Sequence, residues 1–327
     1  MITARAHTNI ALIKYWGKRD KKLFLPYTSS LSMTLDAFYT DTSVAFNHSD
    51  KDEFYLNGEK QGEKETEKIS RFIDLFRNEA KSQEKVTVKS QNFVPTAAGL
   101  ASSASAFAAL SLALNHLFEL HFSLEKLSTF SRKGSGSSTR SLFGGLVEWD
   151  KGEDDKTSFA HPLLDKEHVP CEMIICLING KEKEISSRDG MELTVKTSPF
   201  FEGFVKASSI DLKEMKEAIQ RKDAKAMGEI AERNALRMHA TMLGANPPFT
   251  YFEPKSIETI QFVRSLRQEG IPCYITMDAG PNVKVIVPKQ YTQEVYERLQ
   301  TLFSKEQLIK ASAGPGAYII EKDEIHD

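Results

Sequence analysis

The chain has 327 residues, 43 Lys and Arg against 45 Asp and Glu, a formal charge of −2 and 40% hydrophobic residues. That balance excludes a disordered or fibrous chain and gives no general attraction to polyphosphate backbones, so nucleic acid is not an expected partner. At roughly 100–200 residues per domain, the length fits two domains.

No run approaches the roughly 18–20 apolar residues of a membrane-spanning helix, and Arg5, Lys14, Lys18 and Arg19 interrupt the apolar amino-terminal stretch, so neither a membrane partner nor a signal peptide is expected. Cys171, Cys176 and Cys273 form no CxxC pair and are too few to staple the chain. A cytoplasmic location follows as the expectation.

Residues 4–16, 40–47 and 53–56 are predicted strands, with Asn57-Gly58 as a hairpin turn. Residues 63–81 switch to helical spacing, with Ile69, Phe72, Ile73 and Phe76 on one face. A strand over 86–93, a small-residue loop, a long apolar helix over 102–120 and a helix from Leu124 follow, then a Gly/Ser-rich segment at 134–145 and strands at 146–149 and 173–178. The second half predicts a long helix over 212–243 broken near Gly228 and a helix over 254–269 stopped by Gly270. Beyond it come strands at 271–277 and 283–287, a helix at 291–303 and a last strand at 317–321. That order suggests a small antiparallel sheet covered by helices. The polar, turn-rich 179–190 stretch marks the boundary, dividing the chain into 1–184 and 185–327.

Four segments carry candidate chemistry. The first, Pro95–Ala106, lies between a strand and a helix: Gly99 and the neighbouring alanines let backbone amides approach a ligand, and Ser102, Ser103 and Ser105 add hydroxyls at a helix start, a natural anion site. The same serines would also cap an Ala-rich core helix. In the second, Ser131–Gly145, Ser135, Ser137 and Ser138 with Arg132, Lys133 and Arg140 offer donors to an oxyanion, the alternative being a solvated linker. The third, Ile275–Asn282, puts Asp278 at a strand end, where a general base could be held, or where an Asp could simply form a turn. In the fourth, Asn9–Lys18, Lys14 and Lys18 interrupt an apolar strand, so that, if buried, at least one of them needs an anionic partner, the alternative being an edge strand with solvated lysines. Arg188 is a possible anion contact on a boundary loop, and Ser312–Ala317 reads as a turn before the last strand. No HExxH or His/Cys pairing suggests a protein-held zinc.

Taken together and in order, Asn9–Lys18, Pro95–Ala106, Gly134–Arg140 and Met277–Asn282 resemble the motifs of the GHMP superfamily of small-molecule kinases, and within it the diphosphomevalonate decarboxylases. The resemblance implies a two-domain α+β GHMP kinase-like fold. Its amino-terminal nucleotide-binding domain would resemble the second domain of ribosomal protein S5, and its ferredoxin-like carboxy-terminal domain would carry the catalytic Asp. It also implies ATP and Mg²⁺ as cofactors, mevalonate 5-diphosphate as the substrate and isopentenyl diphosphate as the product, in a homodimer. By the same resemblance Asp278, Arg140 and Lys18 would be catalytic. Tyr15, Lys18, Ser135, Gly136, Ser137, Arg140, Ser187 and Arg188 would hold the substrate. Ala98, Gly99, Leu100, Ala101, Ser102, Ser103 and Ser105 would hold the nucleotide, with Ser102 touching the metal through ATP. The stretch Phe93–Ala98 departs from the Pro-Ser-Ser-Ala of some members.

Overall fold

In a computed structural model of the chain, which describes residues 1–93, 103–178 and 184–321, the elements follow the expected alternation in outline; strands at 18–20, 25–26, 160–164 and 308–311 and a helix over 201–211 lie where none was expected, and four further differences have a physical reason. The first half runs β1 (Ile2–Ile13), a short ribbon of β2 (Lys18–Asp20) and β3 (Leu25–Pro26), β4 (Ser30–Asn47), β5 (Glu53–Leu56), β6 (Glu59–Lys60), α1 (Glu63–Ala80) and β7 (Lys85–Phe93). It continues with α2 (Ser103–Leu117), α3 (Leu124–Gly134), α4 (Ser138–Ser141), β8 (Leu146–Trp149), β9 (Ala160–Leu164) and β10 (Cys171–Cys176). The second half contains α5 (Ser187–Thr197), α6 (Phe201–Gln220), α7 (Ala224–Leu243), α8 (Pro254–Gln268), β11 (Tyr274–Thr276), β12 (Val283–Pro288), α9 (Thr292–Leu299), β13 (Leu308–Ala311) and β14 (Tyr318–Ile319).

The larger sheet has the order β14-β1-β4-β7-β5-β6, with β8 and β9 continuing from the other half of β4. One side is covered by α1, α2 and α3, whose Phe72, Phe76, Phe107 and Phe130 rings interlock into one core. The smaller sheet, β11-β12-β10-β13, is antiparallel throughout. Numbered by chain position within the sheet, this is the 4-1-3-2 order of a split β-α-β-β-α-β unit, the ferredoxin-like arrangement expected for the second domain.

The first difference is the length of β4, a single strand from residue 30 onward where only 40–47 was expected. Residues 30–35 alternate Ser, Leu, Ser, Met, Thr, Leu, and the alternation sends them to two different environments. Leu31, Met33 and Leu35 enter a core shared with Met173, Ile175, Met215 and Ile286, so the larger sheet, the smaller sheet and α6 are joined by one apolar layer. Ser30 and Ser32 turn the other way, toward Arg140. Such strict alternation is itself a strand signal, and the strand begins ten residues before the expected start.

The second difference is that sheet membership crosses the expected 184/185 divide in both directions. Strand β10 belongs to the smaller sheet, and β14 returns to pair with β1, Ala4 opposite Ile319 and Arg5 opposite Tyr318. The 312–317 turn makes this return possible: Gly314 N–H donates to Thr34 O at 2.7 Å and Gly145 N–H to Gly314 O at 3.0 Å. The third is α5, a helix where a boundary loop was expected; the Ser186 hydroxyl accepts from Asp189 N–H and starts it.

The fourth difference concerns Gly228. The long helical pattern breaks at 221–223, where Asp223 caps α7, and Gly228 lies inside that helix. Its role is close approach: a Cβ built there would stand 2.1 Å from the Tyr274 ring of β11. The three cysteines are buried and free. Among the described residues no helix is long and apolar enough to cross a membrane.

Replacing Gly228 with Ala is therefore expected to destabilise the chain, although Ala favours a helix by about 1 kcal/mol, because overpacking against a buried ring costs ~1–3 kcal/mol. Urea unfolding checks this; an unchanged or higher midpoint would show that the ring yields freely.

Candidate active site

A cavity of about 310 Å³ opens where the end of β1, the start of α2, the α3–α4 segment, the start of α5 and the β11–β12 turn converge. Each of the four candidate sequence segments contributes to its wall. Lys14, Tyr15 and Lys18 come from Asn9–Lys18, Ser103 from Pro95–Ala106, Ser135 to Ser137 and Arg140 from Ser131–Gly145, and Asp278 from Ile275–Asn282.

Asp278 follows β11, and its carbonyl accepts from Gly280 N–H at 2.8 Å, closing the turn that aims the carboxylate inward. Its Oδ1 lies 2.7 Å from Lys14 Nζ and its Oδ2 3.4 Å from Lys284 Nζ. Both lysines are buried, whereas the Asp278 side chain stays 38% exposed. Burial pushes the carboxyl up, but the two ammonium groups outweigh it and hold Asp278 well below the usual carboxylate range. Burial likewise draws Lys14 below the ordinary lysine value, opposed by Asp278. The result is a carboxylate fixed in the ionised, proton-accepting form.

Lys18 was the lysine expected to be catalytic, and the structure pairs Lys14 with Asp278 instead. Lys18 lies on β2, past the turn after β1, with Nζ 4.1 Å from the centre of the Phe24 ring. It faces the same cavity but stands near Arg188; burial first, then Arg188 and Lys21, lower it to about 8. Lys284 was missed altogether. Its signal was present, a lysine second in the otherwise apolar Val283–Pro288 strand.

Arg140 sits on the short α4, 2% exposed. Its Nε donates to Ser32 Oγ at 3.0 Å, its Nη1 to Ser30 Oγ and its Nη2 to Asn9 Oδ1 at 3.4 Å. Among the described residues no carboxylate lies within ion-pair distance of it, and burial lowers it to about 10. A buried guanidinium held only by neutral groups, on a cavity wall, is a site for an anion.

The Ser-rich segment around it is an ordered cradle. Asn9 Nδ2 donates to Ser137 O at 2.9 Å and Ser141 Oγ at 2.8 Å, Thr139 Oγ1 donates to Gly136 O at 2.8 Å, and Ser138 is buried against Ser131. Gly136 passes so close to Tyr15 that a Cβ would meet the ring at 2.7 Å. Among the described residues the Tyr15 hydroxyl has no hydrogen-bond partner. The Oγ atoms of Ser135 and Ser137 are 3.2 Å apart, and Ser103 Oγ reaches Ser135 Oγ at 3.3 Å. Arg132, Lys133 and Ser138 do not join this cradle as expected: both cations turn to Asp155, Arg132 also bonds Leu23 O at 3.0 Å, and Ser138 points into the protein.

Ala98, Gly99, Leu100, Ala101 and Ser102 lie outside the described residues. Ser105 is corrected: it is buried, with Oγ 2.8 Å from Thr40 Oγ1, facing the sheet and away from the cavity. Ser187 and Arg188 line the cavity from the first turn of α5. Among the described residues no cluster of His, Cys, Asp or Glu could cage a metal ion. The cationic, hydroxyl-rich wall fits a magnesium ion carried chiefly by nucleotide phosphates.

The triad generates a stability prediction. Asp278→Asn leaves Lys14 and Lys284 facing each other and should cost up to ~3 kcal/mol, the low end for broken buried pairs because the carboxylate is partly exposed to the cavity. Adding Lys14→Met should recover most of that loss; urea unfolding of both variants checks it, and purely additive losses would refute the coupling. Because the folded carboxyl titrates below its ordinary value, the pair's contribution is present at neutral pH and is lost as pH falls through the folded value.

Residues 6–160 match the model of a diphosphomevalonate decarboxylase-like N-terminal domain, and residues 173–322 that of a mevalonate 5-diphosphate decarboxylase C-terminal domain. The diphosphomevalonate decarboxylase of Ganoderma lucidum is 36% identical over 337 residues, 95% of this chain and 84% of that protein. The crystal structure of mevalonate diphosphate decarboxylase from Staphylococcus aureus is 49% identical, with TM-score 0.94, over 98% of this chain and 99% of the other. A structure described as MDDEF in complex with MVAPP, AMPPCP and magnesium is 52% identical, with TM-score 0.93, over the same 98% and 99%. With two matched domain models in sequence and a fold shared over nearly its whole length, the chain belongs to the diphosphomevalonate decarboxylase family of the GHMP kinase-like fold.

Proposed function

We propose that the chain catalyses the ATP-dependent decarboxylation of mevalonate 5-diphosphate. The γ-phosphoryl group passes to the tertiary 3-hydroxyl, phosphate leaves, and the carboxylate departs as CO₂, its bonding pair becoming the double bond of isopentenyl diphosphate; ADP and phosphate are the other products. The observation that carries this reading is Arg140, a buried cation with no carboxylate partner among the described residues, sharing one cavity with an ionised Asp278. A kinase needs the carboxylate acceptor; a decarboxylase also needs a grip on a second carboxylate, which the planar guanidinium supplies in bidentate form. The complex of the related MDDEF with MVAPP, the ATP analogue AMPPCP and magnesium supports the same ligands here.

In this reading Asp278 accepts a hydrogen bond and then the proton from the 3-hydroxyl, while Lys14 and Lys284 keep it ionised beforehand. Arg140 holds the substrate carboxylate and so fixes the hydroxyl relative to Asp278. Tyr15, Lys18, Ser135, Gly136, Ser137, Ser187 and Arg188 receive the diphosphate. Residues 98–102 and Ser103 would receive the ATP phosphates, with Ser102 toward the magnesium, whose charge would neutralise those phosphates. Phosphoryl transfer depends mainly on placement and fixed charge, and a wall of buried cations provides both. Apolar Trp16, Phe107 and Met238 line the same cavity and would exclude water from the cationic carbon left after phosphate loss. The two sheets act as an amino-terminal nucleotide-binding domain and a carboxy-terminal domain carrying Asp278. A cytoplasmic homodimer completes the reading, and sedimentation in solution tests the dimer.

Incubation with ATP, Mg²⁺ and mevalonate 5-diphosphate should release ADP and CO₂ in equal amounts. ADP without CO₂ would make the chain a kinase, and preference for the 5-monophosphate in direct competition would reassign the diphosphate contacts. Asp278→Ala should lower turnover by roughly 10²- to 10⁴-fold with little change in ATP affinity, the scale of a lost proton acceptor; unchanged turnover removes Asp278 from the chemistry.

Lys18 sets a pH dependence. Lowered to about 8, it is charged below that value and neutral above it. The kcat/KM for the diphosphate should therefore fall as pH rises through this region, and Lys18→Met should raise KM and flatten the limb. A limb that survives the substitution would belong to another group.

A further inference from the structure

The last sheet pair of β1 joins Ile13 to Leu31, so the Lys14 amide is the first to leave the ladder, and it does so inside the protein. It donates to Asn234 Oδ1 on α7 at 2.8 Å. Asn234 is fully buried, and its Nδ2 donates to Asp211 Oδ2 at 3.0 Å and to Ser208 Oγ at 3.2 Å, both on α6. An amide N–H on one side and a carboxylate on the other leave one orientation for the side-chain amide. Asp211, itself fully buried, takes Arg233 at 2.7 and 2.9 Å and Arg237 at 2.7 and 2.8 Å. These charge-assisted bonds leave the carboxylate little freedom to move. The same helix holds the other partner's strand, since Glu232 Oε2 accepts from Ile275 N–H of β11 at 2.8 Å while bound to Arg267.

We propose that Asn234 is a positioning residue for the reaction: it transmits the rigidity of the Asp211–Arg233–Arg237 cluster to the backbone of Lys14, and thereby aims the Lys14 ammonium at Asp278. The inference rests on the functional reading given above. Helix α7 then works as a jig between the two sheets, touching the strand that ends at Lys14 and the strand that leads to Asp278. A residue that only filled space would have no reason to present an acceptor to one backbone amide and a donor to a buried acid.

A double-mutant cycle on turnover separates positioning from mere stability. Asn234→Ala should lower kcat about 10-fold or more while the KM for ATP stays within about 2-fold. In a Lys14→Met background the same change should add less than about 2-fold, because the lysine it aims is gone. Losses that multiply in the two backgrounds, or unchanged kcat in Asn234→Ala, overturn the inference. Should Asn234→Ala fail to fold, Ser208→Ala, which removes one of the bonds to Asn234, is carried through the same cycle: a loss of a few-fold that vanishes with Lys14→Met supports the inference, and no loss or a multiplying one overturns it. Wild-type chain that releases no CO₂ overturns the functional reading and this inference with it, whereas an active wild type with an additive cycle overturns this inference alone.

Discussion

A carboxylate clamped between two buried ammonium groups is the constraint on which the site depends. Lys14 comes from the end of β1 in the larger sheet, and Asp278 and Lys284 from the β11–β12 turn and β12 of the smaller one, so the Lys14 pair exists only when both sheets are docked. Burying like charges is tolerated because the acid lies between them. Removing the acid turns an ion triad into a repulsion. The apolar layer that joins Leu31, Met33 and Leu35 to Met173, Met215 and Ile286 supplies the docking.

Arg140 follows the opposite rule. Its hydrogen bonds go to Ser30, Ser32 and Asn9, neutral groups that orient the guanidinium without cancelling its charge. The same stretch of β4 thus serves two ends. Its apolar residues hold the domains together, and its serines aim the cation at the cavity. A carboxylate in place of either serine would satisfy Arg140 and leave nothing for a ligand. Tyr15 behaves likewise, its hydroxyl left unbonded by the described residues within a wall of bonded serines.

Cation placement distinguishes groups that act on one another from groups that merely share a wall. Lys18 and Lys14 are four residues apart, but the strand ends between them and the chain turns, so one reaches Asp278 and the other reaches Phe24 and the neighbourhood of Arg188. Arg132 and Arg140 lie eight apart on either side of a tight turn, and only Arg140 faces the cavity while Arg132 is spent on Asp155.

The sequence by itself determined the four motifs, their order, the alternation of elements and hence the family, because glycine turns, serine-rich helix starts and an Asp after an apolar strand are local signals. It also marked Lys14 and Lys18 as cations in an apolar strand, at least one of which would need an acid if buried. Which acid, and that Lys284 shares it, depended on two segments about 260 residues apart being brought together, and no spacing rule reports that. The role of Gly228 escaped for the same reason: a glycine that admits a distant ring looks, along the chain, like one that breaks a helix. The full length of β4 was legible in its alternating serines and leucines; which partners its two faces meet was not. Tertiary structure decided these points because burial and charge pairing are set by what lies across the space from a residue, whereas periodicity records only what lies beside it.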